Sequence, residues 1–443
     1  MQTSYIYDID NTDRYNFGNK ANNIRLLKSN GINVPKTYVI PNTVIEKELK
    51  QSQIIASNNN SYNESNLMKI REYILKGINC EFYIKIFDEL EKIINKKLKY
   101  AIRSSALNED GAISSFAGLF KTHLNIGNTS NIINCILDCW SYCYEEFYSH
   151  YCNNYNISAC NIMIQEMAKS SCSGVAFKSE NFIIINANYG LAKSIVDGTS
   201  GYETWKYNLF TNEISIVYND KDTAIIPVYG KTNPLKDDYI ICCDIVNQPK
   251  LIVNSFDNTH GYVSVELSNE LKNNTCLNVG LVKELSSLVL NISRIINEDN
   301  CDIEWAMDSK NIFTILQARK LTKKINFDYT SIKQHNSLEG MGIVSGDAKG
   351  KAIYVSNEVQ AKKFVAGNIL VAKRIEGAVL KAANKASGCI LSTRSPLSHS
   401  AIIAREIGLP TIGAININKI NLGSYYKISG DTGKITLLSD VDL

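Results

Sequence analysis

The segment SPLSHSAIIAREIGLPTIG (395–413) carries the clearest local signal in the chain. Ser395, which is followed by a proline, is a favourable helix N-cap, and Ser398 is an alternative cap. Alanine and isoleucine residues supply one apolar side, and Gly408 followed by Leu-Pro is typical of a helix end. The pattern therefore predicts a short helix with His399 in its first turn.

A position in the first turn of a helix makes His399 a candidate for phosphate chemistry. Free backbone N–H groups and the positive end of the helix dipole favour an anion at a helix N-terminus. A neutral imidazole there could attack a phosphorus atom, and the N–H groups would hold the oxygens of the phosphohistidine that forms. The alternative is a histidine that lies on the surface or caps the helix. The chain contains five histidines, so the rarity of the residue type does not decide between the two interpretations.

A second cluster, AIRSSALNEDGAISSFAGLF (101–120), combines an arginine with a loop of small residues. A strand delivers Arg103, whose guanidinium can bind phosphate oxygens in a bidentate manner. Small residues let the backbone approach a phosphate closely, so SSFAG (114–118) is interpreted as a cover over a nucleotide. The nucleotide contacts assigned to this cover are Ser115, Ala117 and Gly118. The alternative is an ordinary polar loop beside a surface arginine.

A third cluster, CDIEWAMDSKNIFTILQARK (301–320), is typical of two strands joined by a turn at 308–310. Gln317 and Arg319 are two residues apart and therefore share a face of their strand. Glu304 and Gln317 carry the carboxylate and amide oxygens that Mg²⁺ prefers, and Arg319 is a candidate for phosphate binding. The alternative is a hairpin with a polar, solvated face.

Strand-like and helix-like segments alternate from end to end, which indicates an α/β or α+β fold. Short segments rich in isoleucine, valine and aromatic residues are predicted as strands at 37–42, 98–106, 161–167, 181–187 and 311–319. Segment 19–31 is predicted as a helix, with Ile24, Leu26 and Leu27 on one side. A further helix near 130–150 aligns three cysteines on one face, which are interpreted as buried thiols rather than metal ligands.

Two polar segments, 58–66 and the stretch after residue 325, are predicted as loops. From residue 338 the chain restarts with two strand-like runs around glycine turns and continues to its last residue. We therefore expect a large domain at 1–325, a linker at 326–337 and a small domain at 338–443.

The composition is that of a folded protein without a dedicated polyanion-binding surface. The chain has 443 residues, of which 44% are hydrophobic and 21% charged, and 47 basic residues balance 44 acidic ones. No apolar run reaches the roughly 18 residues of a membrane helix, and the N-terminus does not have the pattern of a secretory signal. Twelve cysteines in such a chain are expected as reduced thiols. We expect a cytoplasmic protein that binds neither nucleic acid nor membrane.

The order of these clusters resembles that of the phosphoenolpyruvate synthase and pyruvate phosphate dikinase family. The resemblance begins at FGNKANNIRLLKSNGINVPKTYVI (17–40) and covers about two thirds of the chain in six blocks. The other blocks are 101–120, 162–177, 186–198, 302–319 and 367–415, followed by a closing strand near GDTGKITLL. The resemblance implies an ATP-grasp nucleotide-binding domain followed by a phosphohistidine swivelling domain.

The resemblance also implies a role for each matching residue. Lys20 and Arg103 correspond to phosphate-binding residues, Glu304 and Gln317 to a metal-linked pair, and Arg319 to a residue on the transferred phosphates. The hinge strand is expected to border the adenine, with the backbone of Gln165 and Met167 reading its edge. His399 corresponds to the residue that becomes phosphorylated, which makes His399, Arg103 and Arg319 the candidate catalytic residues.

The reaction implied by the resemblance uses ATP and Mg²⁺. ATP gives a pyrophosphoryl group to histidine and AMP leaves, the γ-phosphate is lost to phosphate or water, and the β-phosphoryl group passes to an acceptor. Cations and positioning stabilise the charge on the transferring phosphoryl group.

The sequence departs from the family pattern at three places, of which the first is Gly18-Asn19 in the position of a Gly-Gly pair. The usual Gly-Gly-x-Thr-Ser/Cys-His sequence is replaced here by residues 394–399, Arg-Ser-Pro-Leu-Ser-His, and Lys193 stands where an acidic residue is frequent. A pyruvate-binding barrel needs roughly 250 residues, for which 443 residues leave no room beside the two predicted domains.

The leading hypothesis is an ATP-dependent phosphotransferase that acts on a small molecule through phospho-His399, releasing AMP and phosphate. Its acceptor could be a hydroxyl group, a carboxylate or an amide nitrogen. One alternative is a phosphocarrier of a split system that donates the phosphoryl group to a partner protein. Another is a nucleotide-binding regulator without turnover, which the complete set of predicted site residues disfavours.

Overall fold

The structure is a computed structural model that describes residues 4–11, 17–55, 64–105, 121–145, 160–229, 240–241, 252–257, 261–321, 339–396 and 398–438. Four β-sheets organise these residues, three in the first three quarters of the chain and one after residue 339. The predicted cover residues Ser115, Ala117 and Gly118 and the predicted linker 326–337 lie outside the described residues.

The first sheet is entirely antiparallel and contains the strand that bears Arg103. In spatial order its strands are Tyr7–Asp8, Thr37–Ile40, Asn161–Glu166, Tyr100–Ser105 and Thr122–Ile126. Alternating isoleucine and aromatic residues pack one face of this sheet against helices, in a core that includes Tyr100, Trp140 and Ile164.

The central sheet has six antiparallel strands and begins with the predicted hairpin. Its spatial order is Phe313–Lys320, Cys301–Met307, Cys172–Lys178, Phe182–Tyr189, Glu203–Asn208 and Ile214–Asn219. One face is packed by helix Val279–Ile295, which buries Val282, Leu285, Val289 and Ile292 at helical spacing. A small antiparallel sheet follows, with the order Ile240–Ile241, Thr223–Tyr229, Tyr262–Glu266 and Ile252–Asp257.

The C-terminal sheet has seven strands and mixes parallel and antiparallel pairs. Its spatial order is Met341–Val344, Thr411–Gly413, Gly388–Leu391, Ile369–Ala372, Asp347–Tyr354, Tyr425–Ser429 and Lys434–Leu437. The four strands from Thr411–Gly413 to Asp347–Tyr354 in this order are parallel, and hydrophobic clusters cover both faces of the sheet, as expected for parallel strands.

The helices connect and cover these sheets. The described α-helices are Asn19–Ser29, Asn42–Gln51, Glu64–Glu72, Cys80–Ile93, Thr129–Tyr142, Lys193–Val196, Asn269–Asn273, Val279–Ile295, Glu358–Lys363, Ala378–Ala383 and His399–Glu406. A π-helical turn at Tyr73–Gly77 and 3₁₀ turns at Ile9–Asn11 and Ile417–Lys419 complete the described helical elements. This mixed architecture confirms the predicted α/β class.

Three local predictions are wrong in detail. Leu26 does not share the buried side of its helix with Ile24 and Leu27, because 38% of its surface is exposed. The polar loop predicted at 58–66 is too long, since a helix begins at Glu64. Ser395 is not the N-cap of the histidine helix, because the alternative, Ser398, takes that position.

The cysteine helix agrees with the sequence interpretation. Cys135, Cys139 and Cys143 are buried and unbridged on helix Thr129–Tyr142 and the turn that follows it. Burial raises the pKa of the Cys135 thiol to about 12, as expected for a thiol that packs like a small apolar side chain. No helix among the described residues is both long and apolar enough to cross a membrane.

Candidate active site

A cleft lies between the first sheet and the central sheet. Its walls include apolar side chains such as Leu124, Leu191 and Leu316, together with Arg103 and Glu304. The cleft opens to solvent, and with its open mouth it holds about 820 Å³ of empty space. His399, which belongs to the C-terminal part of the chain, lines the same cleft.

Arg103 connects the two sheets at the floor of the cleft. Its Nη2 donates to Glu304 Oε2 at 2.6 Å and to Gln317 Oε1 at 2.8 Å, and its Nη1 donates to the Leu316 carbonyl oxygen at 3.2 Å. Glu304 and Gln317 are direct cross-strand partners in the hairpin, which explains why their oxygens converge on one nitrogen. The hairpin register thus places a carboxylate oxygen and an amide oxygen at a single point.

The carboxyl group of Glu304 stays ionised in this environment. Its burial acts to raise the pKa, but the nearby guanidinium of Arg103, and then that of Arg319, outweigh burial and hold the pKa below its usual value. No cluster of three or more histidine, cysteine, aspartate or glutamate side chains that could hold a metal ion occurs in the part of the chain that the structure describes.

Arg319 and Lys20 supply further positive charge. Arg319 Nη2 lies 2.7 Å from Asp302 Oδ2 in a buried ion pair, and these two residues are also cross-strand partners. Lys20, in the first turn of helix Asn19–Ser29, is buried, and its charge acts on His399. Asp302 was missed by the sequence analysis, although its position opposite Arg319 in the predicted hairpin is a usable signal.

The imidazole of His399 is neutral in its environment. Burial, followed by the positive charge of Arg319, lowers the pKa to about 4, although Asp197 and Glu304 act in the opposite direction. Although much of the residue is buried, part of its surface is exposed to the cleft. No hydrogen bond to the imidazole occurs among the described residues, so its nitrogen lone pair is available.

The backbone around His399 is held by serine side chains. Ser398 Oγ caps the helix by accepting from the Ala401 N–H at 3.4 Å, and it also accepts from Thr393 Oγ1 at 2.9 Å. Ser400 Oγ accepts from the Ile375 N–H at 2.8 Å. His399 is therefore the first residue of its helix, as predicted, although the cap is one turn later than Ser395.

Asp197 is a second residue that the sequence analysis missed. It lines the cleft beside His399 and lies 2.8 Å from Lys193 Nζ, while Arg374 Nη1 from the C-terminal part of the chain lies 3.3 Å away. The Asp-Gly pair at the end of the 186–198 block is the signal that could have indicated it. Lys193 and Asp197 neutralise each other at i and i+4.

Gln165 and Met167 also line the cleft. Gln165 is buried within the first sheet, where its backbone pairs with Thr37 and Ala101. The Met167 N–H donates to the Lys99 carbonyl oxygen at 2.9 Å. Both residues are therefore placed to contact a ligand bound in the cleft.

Direct contacts join the histidine segment to the preceding sheets. The Arg394 N–H donates to the Gly198 carbonyl oxygen at 3.1 Å, and the buried Tyr202 hydroxyl donates to the Arg394 carbonyl oxygen at 3.1 Å. Arg394 Nη1 donates to Asp222 Oδ2 at 2.8 Å. Gly198, at φ +67°, lies so close that a Cβ there would overlap Thr393 Oγ1. These contacts hold His399 in the cleft.

Two family models match the chain in succession. Residues 15–339 match the AMP/ATP-binding domain of pyruvate phosphate dikinase, and residues 364–433 match the mobile domain of PEP-utilising enzymes. The first match covers the first and central sheets with their cleft, and the second covers His399.

Curated relatives agree with these matches at low identity. The "Probable phosphoenolpyruvate synthase" of Archaeoglobus fulgidus is 25% identical over 93% of this chain and 55% of that protein. The "Uncharacterized phosphotransferase YvkC" of Bacillus subtilis is 23% identical over 69% of this chain and 33% of that protein. The "Rifampicin phosphotransferase" of Bacillus cereus is 24% identical over 52% of this chain and 29% of that protein.

The chain thus spans about half of the length of the first of these relatives and less of the others. The order of the two matched domains is the same as that inferred from the clusters around Arg103, Glu304 and His399. The chain belongs to the pyruvate phosphate dikinase and phosphoenolpyruvate synthase family, of which it carries the AMP/ATP-binding domain followed by the mobile domain.

Proposed function

We propose that this chain is an ATP-dependent phosphotransferase that forms phospho-His399 and passes the phosphoryl group to a small-molecule acceptor, with release of AMP and phosphate. The observation that carries the proposal is the position of the neutral His399 imidazole in the same cleft as Arg103 and Glu304. Membership of the family supports ATP as the nucleotide.

The first chemical step needs an available nucleophile. A histidine with a pKa of about 4 is unprotonated near neutral pH, so its ring nitrogen can attack the β-phosphorus of ATP. The new N–P bond forms as the bond from the β-phosphorus to the α–β bridging oxygen breaks, and AMP leaves with that oxygen. Water then attacks the γ-phosphorus, the bond from that phosphorus to the β–γ bridging oxygen breaks, and phosphate leaves. In the last step an oxygen or nitrogen of the acceptor attacks the β-phosphorus, the N–P bond breaks and returns the electron pair to His399, and the proton of the acceptor passes to solvent.

The charge on the transferring group requires several cations. Lys20, Arg103 and Arg319 are proposed to neutralise the phosphate oxygens of a bound nucleotide, and of these three Arg103 lines the cleft. The ion pairs with Glu304 and Asp302 hold the two guanidinium groups in place before the nucleotide binds. Gln165 and Met167 are proposed to border the base, as the resemblance implies.

Glu304 and Gln317 fit the requirements of Mg²⁺ binding. Their side-chain oxygens lie 2.6 Å and 2.8 Å from the same nitrogen, Nη2 of Arg103. A carboxylate oxygen and an amide oxygen therefore already surround one positively charged group. Mg²⁺ is usually held by one or two protein oxygens with phosphates and water completing its shell. When bound, the ion would neutralise negative charge on the phosphate chain.

The experiment follows an isotopic label on the β-phosphate of ATP. With a β-phosphate label, the wild-type chain is expected to acquire label in an acid-labile bond while AMP accumulates, and His399→Asn is expected to acquire none. His123→Asn is the matched histidine control, since His123 bonds Asp138 and does not line the cleft. Intact nucleotide and no label on the wild-type chain would overturn the proposal.

A further inference from the structure

A second cavity lies between the two matched domains. With its open mouth it holds about 1,100 Å³ of empty space. We call it the interdomain pocket, and its lining residues are Asp197, Gly198, Thr199, Lys373, Arg374, Ser392, Arg394, Ala414, Ile415 and Asn416. Asp197 lines both this pocket and the cleft that contains His399, so the two cavities are neighbours.

Hydrogen-bond donors dominate the charged lining of the interdomain pocket. Lys373, Arg374 and Arg394 contribute three positive charges, whereas Asp197 is the carboxylate in the lining. A lysine ammonium carries three N–H donors and an arginine guanidinium five, and neither group can accept a hydrogen bond. The pocket is therefore chemically suited to a ligand that accepts hydrogen bonds.

Most of these donors are unused within the described residues. Lys373 Nζ has no ion pair or hydrogen bond there. Arg374 lies 3.3 Å from Asp197 and 3.5 Å from Glu376 in ion pairs without a hydrogen bond. Arg394 donates one side-chain hydrogen bond, to Asp222. The carboxylates orient the two guanidinium groups and leave most of their N–H groups directed elsewhere.

Two features separate this pocket from a chance surface depression. Arg394 lines the pocket while its guanidinium bonds Asp222 of the other domain, so the lining forms at a direct contact between the two domains. Ala414, also in the lining, has φ +60°, a left-handed conformation that costs an alanine energy and is frequent at binding sites. Both features lie on the segments that flank the histidine helix.

We infer that the interdomain pocket is a binding site for an oxyanion, a carboxylate or phosphate group, held by Lys373, Arg374 and Arg394. Guanidinium and ammonium groups bind such groups by charge-assisted hydrogen bonds. The inference rests on the proposed function for its biological meaning: the oxyanion is either the charged end of the phosphoryl acceptor or the phosphate released from ATP. Because both domains contribute lining residues, the site is complete only when His399 is in the cleft.

Equilibrium dialysis of labelled inorganic phosphate against the full chain tests the site itself. A non-hydrolysable ATP analogue at saturation occupies the nucleotide cleft, so that phosphate does not bind there. Lys373→Gln and Arg374→Gln are expected to weaken phosphate binding by about fivefold or more each, since each removes a charged donor. Lys385→Gln, an exposed lysine on the same domain outside the pocket, is the matched control and should bind phosphate like wild type.

Displacement of the labelled phosphate distinguishes the two sources of the oxyanion. Stronger displacement by glycerol 3-phosphate or glutamate than by unlabelled phosphate assigns the site to an acceptor, and the reverse order assigns it to released phosphate. The inference would be overturned if neutral glycerol displaced the labelled phosphate as strongly as the charged compounds do. Equal phosphate binding by the Lys373→Gln and Lys385→Gln variants would also overturn it. This measurement needs no phosphoryl transfer, so its failure is distinct from failure of the labelling experiment on His399.

Discussion

At the scale of single residues, the surroundings of His399 decide whether its imidazole is a nucleophile. Burial and the charge of Arg319 lower its pKa from the usual 6.5 to about 4, which keeps the ring neutral. We therefore expect the His399 ring signals to show no titration between about pH 5.5 and about pH 8 in nuclear magnetic resonance spectra, where an ordinary histidine would titrate.

His399→Gln identifies the relevant resonance, because it removes one of only five histidine signals. His123 provides an internal comparison within each spectrum, since it lies outside the cleft and bonds Asp138. A titration midpoint of His399 near its usual value would contradict the electrostatic account of the cleft.

Glu304 is the residue on which the proposed cation site depends. Glu304→Gln keeps an oxygen near Arg103 Nη2 but removes the negative charge. We expect the Mg²⁺ concentration for half-maximal phosphohistidine formation to rise by about tenfold or more, because a neutral amide binds a hard cation less well than a carboxylate.

A magnesium titration of the labelling rate at saturating ATP measures this effect. Glu298→Gln is the matched control, since Glu298 pairs with Lys320 away from the cleft. An unchanged magnesium dependence in Glu304→Gln would place the metal elsewhere. Buried ion pairs are costly to break, so circular dichroism of the variant should accompany the titration.

At the scale of elements, Gly198 sets how closely the histidine segment approaches the nucleotide-binding domain. A Cβ at this position would overlap Thr393 Oγ1 and lie 3.0 Å from Thr393 Cβ and 3.1 Å from Ser398 Cβ. We expect Gly198→Ala to slow phosphohistidine formation by about tenfold or more, because one segment must move, while ATP affinity stays close to that of wild type.

Gly31→Ala separates the steric effect from backbone strain. Gly31 has a similar positive φ, +77°, but no atom lies within 4 Å of a Cβ built there. Both variants carry the cost of placing alanine at positive φ, roughly 1–2 kcal/mol. Rapid-quench labelling together with fluorescent-nucleotide binding compares them, and equal labelling rates would show that the close approach is unimportant.

Local elements could largely be predicted from sequence, for identifiable physical reasons. The hairpin that contains Glu304 and Gln317 has a pattern that favours two strands, and its turn residues mark the reversal. The cap of the histidine helix was harder, because Ser395 and Ser398 are both good N-caps and the choice depends on Thr393, which donates to Ser398 Oγ. Leu26 was placed on the buried side by helical periodicity, but nothing covers it sufficiently.

Such local sequence patterns could not predict contacts between segments that are distant in the sequence. Arg103 was recognised as a phosphate-binding candidate, but its hydrogen bonds to Glu304 and Gln317 depend on how two sheets face each other. Asp197 was missed for the same reason, since its importance follows from its closeness to His399 and Arg374. The limits of the two domains remain a sequence-based prediction.

At the scale of the whole molecule, ion pairs of Arg374 and Arg394 add to the backbone contacts of Arg394 that join the two domains around the cleft. Arg394 forms an ion pair with Asp222, and the side chains of the two residues are 42% and 40% exposed, respectively. Such exposed pairs contribute up to about 1 kcal/mol, which corresponds to roughly a fivefold change in the population of the joined arrangement. In the proposed function, the mobile domain depends on contacts that are weak enough for His399 to meet first ATP and then an acceptor.

A charge exchange tests this dependence on weak contacts. We expect Arg394→Asp and Asp222→Arg each to slow phosphohistidine formation by about fivefold or more, because each variant places like charges opposite each other. The double variant restores an ion pair of reversed polarity and should recover much of the wild-type rate, whereas ATP affinity should stay constant in all three. Labelling rates at low and high salt provide the measurement, with the single-variant defects shrinking as salt screens the repulsion. If the double variant were as slow as the slower single variant, the Arg394–Asp222 pair would not be what holds His399 at the nucleotide.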